Sequence, residues 1–336
     1  MILYSLVAVL AVGLTLPVDN HYENKGFLYT RQQVLNRLCL VSVFLLLFLV
    51  SALRLNVGND YAKYVEFMHL IRCDAVVPTE FGFNWVVKIL YGISGFENYL
   101  LVFAVFAFAT IYLFLKAIYQ QADSFPFSFF LFMALGYYFQ TFNTVRYYLA
   151  LAIALFAIPY VLRKEWGKFI LLILLGATMH KSLLVVIPLY FLASRCWKKW
   201  QLVLAALFCS TFFFLQDFYL KLVVFLYPTY EDTEYLEGGT SMINILRCAA
   251  VLVLALLCYK KCVKENIRNR FYFYCNLGAL VMYVCCSFLP IISRIGYYLT
   301  ITHIFFLPAL VNGIENEKLR KLCRAGVILA GIVYFA

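Results

Sequence analysis

Four arginines lie at or near the ends of long apolar runs, where a charged side chain is energetically expensive. Arg54, Arg146 and Arg294 lie at run ends, and Arg247 lies about one turn inside a run. Charged residues in such places tend to serve a function. Because a guanidinium group binds phosphate through two parallel hydrogen bonds, we predict a shared site for an anionic ligand. The alternative for each arginine is snorkelling to the membrane surface or pairing with a nearby acid.

His180 follows an apolar run and precedes Lys181 and Ser182, at the predicted depth of the arginines. Imidazole acts as a general base near neutral pH, or donates a hydrogen bond to phosphate. A packing histidine is the alternative, and Ser182 has the alternative role of capping the next helix. We interpret His303, inside an apolar run, as structural.

Asp60 lies just beyond the run that Arg54 ends, two residues after Gly58. Glycine permits a tight turn that directs the carboxylate back towards the arginines. Asp60 would then orient a sugar hydroxyl or accept its proton. A salt bridge with Arg54 or Lys63 is the alternative interpretation.

The sequence contains no HExxH, Walker, GxSxG or DxD motif and no zinc-type spacing. We therefore predict neither a metal site nor a cofactor. A nucleotide-driven pump and a metalloprotease lose support for the same reason.

The elements that must position these residues are membrane helices. Of the 336 residues, 65% are hydrophobic and 13% are charged, against about 25% charged in a soluble domain. This composition excludes a soluble enzyme, a disordered chain and a disulfide scaffold. The apolar runs are continuous, so we predict an all-α polytopic membrane protein.

Twelve apolar segments are found, and crossing a bilayer takes roughly 20 helical residues. We predict about 10–12 transmembrane or re-entrant helices within one integral membrane domain over 1–336. The first run is expected to be a retained helix, and the last to be too short to span. The run 168–194 is interrupted at 179–182, which predicts two segments. The twelve segments are 2–16, 34–53, 97–115, 125–141, 146–162, 168–180, 182–194, 201–216, 243–259, 271–289, 295–312 and 325–336.

The basic residues predict the orientation of the chain. With the N-terminus outside and the segments alternating, 19 of the 28 Lys and Arg residues fall in inner loops, as the positive-inside rule requires. The net charge of +11 is therefore interpreted as a sign of orientation rather than of nucleic-acid binding. The arginines, Asp60 and His180 fall on the outer side.

Two predicted outer segments are long. Residues 54–96 include an amphipathic stretch at 80–93 that is too short to span and is expected to lie at the interface. Residues 217–242 contain Pro228, an acidic run and a Gly-Gly pair. They form either a lid over the site or a solvated connector.

An ordered set of motifs resembles one family. The stretch from Arg54 through Gly58, Asp60 and Tyr61 to Tyr64 resembles the RxxxGxDYxxY signature of EpsG-like exopolysaccharide polymerases, which are grouped with Wzy-type polymerases. One departure is Tyr147, where the family usually has glutamine, so any substrate contact there is different. Later blocks resemble the family in the same order: Glu80–Phe83, Asn143–Ala150, Met179–Tyr190 and Ser293–Tyr298.

The resemblance implies an architecture like that of O-antigen polymerases and C-type glycosyltransferases. It implies transfer of a glycan from a polyprenyl pyrophosphate donor to a sugar hydroxyl, at the outer face of the bacterial cytoplasmic membrane. Beyond the substrate and the bilayer, a flippase and a chain-length regulator are candidate partners. The implied catalytic residues are His180, Asp60 and Arg146, and the implied substrate-binding residues are Arg54, Arg247, Arg294, Tyr61, Tyr64, Asn143, Tyr147, Ser182, Tyr297 and Tyr298.

Three other functions remain open. A transporter or flippase for lipid-linked oligosaccharides would use the same arginines without chemistry, although polar residues are scarce away from the outer edge. A membrane O-acyltransferase would use His180 as its base. A polysaccharide ligase handles its donor as a polymerase does, so the sequence does not separate the two.

Overall fold

The structure is a computed structural model, and it describes residues 2–22, 30–226, 241–289 and 292–335. The described residues form helices and contain no β-strand. Continuous apolar runs favour this outcome, because a helix satisfies every backbone hydrogen bond within one segment. The prediction of an all-α polytopic membrane protein is confirmed.

Most of the α-helices coincide with the apolar runs. A 3₁₀ helix at Lys181–Val185 precedes α10, and a π-helical turn at Tyr259–Val263 precedes α14. In chain order the helices are α1 Ile2–Thr15, α2 Arg31–Ala52, α3 Tyr61–Arg72, α4 Phe81–Ser94, α5 Tyr99–Gln121, α6 Phe125–Ala134, α7 Tyr137–Gln140, α8 Val145–Leu162, α9 Trp166–Ala177, α10 Val186–Ser194, α11 Lys199–Phe214, α12 Gln216–Leu226, α13 Met242–Leu257, α14 Ile267–Cys285, α15 Ile292–Thr300, α16 His303–Asn312 and α17 Glu317–Phe335.

Four stretches of the described chain are long and apolar enough to cross a membrane. They are α2, α5, α8 and the run Ile292–Asn312, which contains α15 and α16. The pair Trp200–Phe212 and Gln216–Leu222 is bent by 83° and counts as a fifth if it forms one span. Five shorter apolar helical segments of 10–17 residues accompany them, at Ile2–Thr15, Phe125–Ala134, Trp166–Ala177, Lys181–Ser194 and Met242–Leu257.

The first of two compact units comprises residues 1–184 and 314–336. Its central helix is α8, which packs against α5 and α9. Four alanines, Ala150, Ala152, Ala154 and Ala157, are fully buried on α8. Small side chains let membrane helices approach closely, since lipid supplies no hydrophobic drive between them. These alanines let α8 pack closely against its neighbours inside this unit.

The second unit comprises residues 185–313. Its central helix is α14, which packs against α10, α13, α15 and α16. Gly296 on α15 lies against Tyr283 of α14, because a Cβ atom at this glycine would come within 2.3 Å of the tyrosine hydroxyl. The close contact of α14 and α15 therefore needs glycine at position 296.

Several elements differ from the sequence prediction in extent. The interruption at 179–182 is present, since α9 ends at Ala177 and the 3₁₀ helix follows. Residues 61–72 form α3, a helix that the apolar pattern did not indicate. The amphipathic stretch forms α4, and the predicted loop 217–242 begins inside α12, while 227–240 lie outside the described residues. The last apolar run belongs to a longer helix, α17, which starts with a charged turn.

Candidate functional site

Arg146 lies in the first turn of α8, where a cation is electrostatically unfavourable. The N-terminus of a helix carries a partial positive charge, so an arginine there needs a compensating anion. Glu80 supplies it, and Arg146 Nη1 donates a hydrogen bond to Glu80 Oε2. Both side chains are mostly buried, at 13% and 16% exposure. Their pairing is consequently much stronger than that of a solvated surface pair.

Glu80 has two further partners at its other oxygen. The backbone N–H of Lys181 donates to Oε1 at 3.1 Å, and His180 Nδ1 lies 4.0 Å from the same atom. One carboxylate therefore joins Arg146 and His180, two of the three residues predicted to be catalytic. Glu80 itself is not among the site residues predicted from the sequence.

His180 is held from two sides. Its Nδ1 accepts a hydrogen bond from the Ser182 backbone N–H at 3.3 Å and lies 3.0 Å from the Ser182 hydroxyl oxygen. The Tyr147 ring meets the imidazole edge to face, with ring centroids 5.6 Å apart. Ser182 lies within the 3₁₀ helix rather than at a helix N-cap. Its hydroxyl is therefore placed to orient His180.

Aromatic rings form the walls beside Arg146. Its guanidinium carbon lies 5.7 Å from the Tyr64 ring centroid and 5.3 Å from that of Phe83. These cation–π contacts fix the guanidinium without consuming all of its hydrogen-bond donors. Tyr64 is 6% exposed, and so is Tyr61, whose ring stacks on Phe103 at 5.0 Å. In this structure the faces of both tyrosine rings contact protein.

A close contact between α4 and the end of α9 brings Glu80 next to His180. The backbone N–H of Gly82 donates to the Thr178 carbonyl at 2.9 Å. A Cβ atom at Gly82 would lie 2.5 Å from the Thr178 hydroxyl oxygen. Only glycine allows α4 to approach this closely. The two residues thus set the distance between the acid and the imidazole.

A second glycine shapes the turn that carries Asp60. Gly58 has φ of +107°, and a Cβ atom there would lie 2.2 Å from the Phe142 carbonyl oxygen. The next backbone N–H, of Asn59, donates to Asn143 Oδ1 at 3.0 Å. Asn143 therefore links this turn to the segment just before α8. Asp60 follows at the N-cap position of α3, half-buried and one turn before Tyr64.

Arg54 lies apart from the carboxylate of Glu80. It is 7% exposed, and its guanidinium carbon is 5.0 Å and 5.1 Å from the ring centroids of Phe103 and Phe142. Burial lowers the pKa of Arg54 to about 10, so the group stays charged at neutral pH. Its Nη1 donates to Ser51, while Nε and Nη2 have no partner among the described residues. An adjoining cavity of about 10 Å³ has room for about one water molecule.

The remaining predicted residues lie in the second unit. Arg247, half-buried on α13, donates from Nη2 to Asn244 Oδ1 at 3.0 Å. Arg294 is exposed on α15, and Tyr297 on the same helix is half-buried. Tyr298 is fully buried, and its carbonyl accepts a hydrogen bond from the Tyr190 hydroxyl at 3.0 Å.

His303 forms a buried polar pair in the second unit. Its Nε2 lies 2.8 Å from Asn276 Oδ1, and Asn276 Nδ2 donates to the Cys248 carbonyl at 3.1 Å. Since the amide oxygen can only accept, His303 Nε2 carries the proton. This fixed tautomer agrees with a packing role.

Five residues contact Glu80 directly or through Arg146 or His180, and together they can hold an anion and move a proton. They supply a guanidinium, an imidazole, a hydroxyl and a backbone N–H within one mostly buried cluster. In the described part of the chain, no three His, Cys, Asp or Glu side chains are grouped to hold a metal ion. The five are Arg146, His180, Ser182, Tyr64 and Tyr147.

Glu80 is the residue of the candidate site that the sequence analysis did not select. The sequence contains one indication of its importance, because Glu80 is the first residue of the block Glu80–Phe83 that resembles a family segment. Its partners, however, lie 66 and about 100 positions away in the sequence. No spacing rule links residues that far apart.

Comparison with known proteins supplies the family. The model of the EpsG family matches residues 37–336, a range that includes every residue of the site described above. No curated protein and no solved structure matches the chain. The ordered motifs, the all-α membrane fold and this match agree with one another, and the chain belongs to the EpsG family.

Proposed function

We propose that this protein polymerises exopolysaccharide or O-antigen-type repeat units. It transfers a glycan from a polyprenyl pyrophosphate donor to a sugar hydroxyl at the outer face of the bacterial cytoplasmic membrane. Membership of the EpsG family supports a polysaccharide polymerase role. The observation that carries the chemistry is the buried cluster in which Glu80 joins Arg146 to His180.

Arg146 binds the pyrophosphate of the donor. The guanidinium and the N-terminus of α8 both favour an anion at this point. As the bond between the anomeric carbon and the pyrophosphate breaks, negative charge grows on the leaving oxygen. A fixed cation in a mostly buried site stabilises that charge. Glu80 keeps the guanidinium oriented before the donor arrives.

His180 acts as the general base. In the structure Nδ1 accepts a hydrogen bond from the Ser182 backbone N–H. A base at Nε2 therefore requires the other tautomer, whose Nδ1 proton is donated to the Ser182 hydroxyl oxygen 3.0 Å away. The acceptor hydroxyl attacks the anomeric carbon, and its proton passes to Nε2 while polyprenyl pyrophosphate leaves. The resulting imidazolium lies 4.0 Å from the Glu80 carboxylate, which stabilises it as the acid of a catalytic triad does.

Asp60 orients the acceptor sugar. Its carboxylate is half-buried at the start of α3, one turn before the tyrosine that contacts Arg146. Arg54, Arg247, Arg294, Tyr297 and Tyr298 remain predicted substrate-binding residues. A flippase that delivers the donor and a chain-length regulator are the proposed protein partners.

Reconstitution tests this function. Purified protein in lipid vesicles receives polyprenyl-pyrophosphate-linked repeat units from its host, and the products are separated on a gel. We expect a ladder of polymer sizes that is lost in His180→Ala. Transfer to another acceptor without a ladder would favour a ligase, and acyl transfer would favour an O-acyltransferase. Movement of the donor between leaflets without chemistry would make the protein a transporter.

A further inference from the structure

A cleft with aromatic and polar walls lies beside the Glu80 cluster, within the first unit. It runs between the end of α3 and the start of α4 and has a volume of about 370 Å³. Binding pockets for small molecules have volumes of roughly 300–1,000 Å³. The side chains that matter for its chemistry are Asp74, Thr79, Phe81, Asn84, Trp85 and Lys88.

Two exposed aromatic rings form one wall. Phe81 is 67% exposed and Trp85 is 58% exposed, and their ring centroids lie 5.8 Å apart at an angle of 54°. Such rings give a large apolar contact at little conformational cost, and indole adds a hydrogen-bond donor. A pyranose ring has one face of C–H bonds, which matches an aromatic surface, and an edge of hydroxyl groups.

Polar groups that line the same cleft match the hydroxyl edge. Lys88 Nζ and Asp74 Oδ1 form an ion pair at 2.5 Å. The hydrogen bond from Lys88 lowers the pKa of Asp74, so its carboxylate accepts hydrogen bonds at neutral pH. Thr79 donates to Asn84 Oδ1 at 2.5 Å. The Asn84 amide nitrogen makes no hydrogen bond within the described part of the chain and keeps two donors.

The backbone conformation of Asp74 helps to shape the cleft. Asp74 has φ of +54°, a left-handed conformation that aspartate adopts at some cost. The conformation turns the chain back after α3, so that Asp74 faces Lys88 on α4. Strained residues of this kind concentrate at binding sites.

The cleft is adjacent to the reaction centre in sequence and in space. Thr79 and Phe81, which both line it, are the immediate neighbours of Glu80. Neighbouring Cα atoms are about 3.8 Å apart. A molecule in the cleft would therefore lie against the chain segment that carries Glu80, while the Glu80 side chain itself does not line the cleft.

We propose that this cleft binds a sugar unit of the glycan on which the enzyme acts, with the pyranose face on Trp85 and Phe81 and its hydroxyls on Asp74, Asn84 and Lys88. The inference rests on the proposed polymerase function and adds a saccharide subsite to it. None of these five residues takes part in the reaction steps proposed above.

A membrane anchor is the competing explanation. Phe81, Trp85, Ile89 and Ile93 repeat every fourth residue and form one exposed apolar stripe on α4. If α4 were only a membrane anchor, all four residues would contribute similarly to its membrane contact. A sugar site would use only the first two, because Ile89 and Ile93 do not line the cleft.

The test measures glycan binding apart from catalysis. The probe is the host's oligosaccharide repeat unit, released from its lipid by mild acid and titrated calorimetrically into the full-length protein in nanodiscs. We expect Trp85→Ala and Asn84→Ala each to weaken binding by roughly tenfold. The matched control, Ile93→Ala, should bind as the wild type does. Trp85→Phe, which keeps a ring, should lose less.

Two outcomes would overturn the inference. One is binding that does not change in Trp85→Ala and Asn84→Ala. The other is an equal loss in Trp85→Ala and Ile93→Ala, as expected of an anchor. The polymer ladder separates this inference from the proposed function. If a ladder forms but binding does not depend on the cleft residues, the sugar subsite is refuted and the polymerase function stands. If binding depends on the cleft residues but no ladder forms, the polymerase function is refuted and the binding site stands.

Discussion

At the residue scale, the feature that organises the candidate site is a carboxylate, Glu80, inside the proposed site for an anion. Arg146 is only 13% exposed, and removing the partner of a buried ion pair costs roughly 3–5 kcal/mol. Glu80 therefore compensates the charge of Arg146 and holds its guanidinium in place while no substrate is bound. It also holds His180 through the same group. The acid is expected to matter for both steps, leaving-group stabilisation and proton removal.

Replacing Glu80 by glutamine tests this dual role. Glu80→Gln keeps the shape but removes the charge that stabilises the imidazolium and orients the guanidinium. We expect initial rates of glycan transfer to fall at least about tenfold, and a double-mutant cycle with Arg146→Gln to give a coupling of roughly 0.5–3 kcal/mol.

The matched control for that experiment is Glu97→Gln. Glu97 also pairs with a histidine, His69, at 3.0 Å, but both side chains are well exposed. Exposed pairs contribute little, so this variant should keep the wild-type rate. Equal rates in Glu80→Gln and the wild type would remove Glu80 from the mechanism.

At the element scale, sequence predicts what repeats locally and misses what the fold brings together. Apolar runs located α2, α5 and α8 because each run is one helix. They missed α3, because Lys63, Glu66 and Arg72 interrupt its apolar character. The ion pair of Arg146 needs α4 to lie against α9 at Gly82, and no local pattern encodes that contact.

Arg54 shows the same limit for the candidate site. The sequence places it at the end of a run with the other arginines, as an expected ligand for an anion. The rings that enclose it, of Phe103 and Phe142, come from two other segments. These rings enclose Arg54 only because α2, α5 and the segment just before α8 pack together.

Glycine substitutions test how elements position the site. Gly58→Ala forces a side chain into a left-handed conformation, at roughly 1–2 kcal/mol, and against the Phe142 carbonyl. We expect a lower Tm in detergent and reduced transfer, because the turn before Asp60 shifts.

Gly92→Ala is the control for that substitution. Gly92 lies within α4, and a methyl group at this position would meet no neighbouring atom within 4 Å among the described residues. Alanine favours a helix over glycine by roughly 0.5–1 kcal/mol, so Tm should hold or rise. A Tm for Gly58→Ala equal to that of the wild type would contradict the close packing of this turn.

At the scale of the whole molecule, the predicted orientation places the Glu80 cluster outside the cytoplasm. The charge bias of the loops supports that orientation, and a donor carried across by a flippase requires it. Two free and exposed cysteines report on it from predicted opposite sides. Cys73 follows α3 in the outer segment, and Cys196 follows α10 beside Arg195.

Labelling of these thiols tests the orientation. Two variants, each retaining only Cys73 or only Cys196, are exposed in intact cells to a maleimide that does not cross membranes. We expect Cys73 to react in intact cells and Cys196 to react only after permeabilisation. The opposite labelling pattern would indicate the inverted topology, with the arginines on the cytoplasmic side.

The most direct test of the central claim compares two arginines at opposite ends of α8. Arg146 pairs with buried Glu80 at the start of the helix, whereas Arg163 pairs with Glu165 just after its end and is exposed. Lysine keeps the positive charge but cannot form the bidentate hydrogen bonds that arginine makes to a phosphate. The measurement is the initial rate of glycan transfer in reconstituted vesicles. We predict a fall of about 10²–10³ for Arg146→Lys and a wild-type rate for Arg163→Lys, whereas equal rates in both variants would contradict a pyrophosphate site at Arg146.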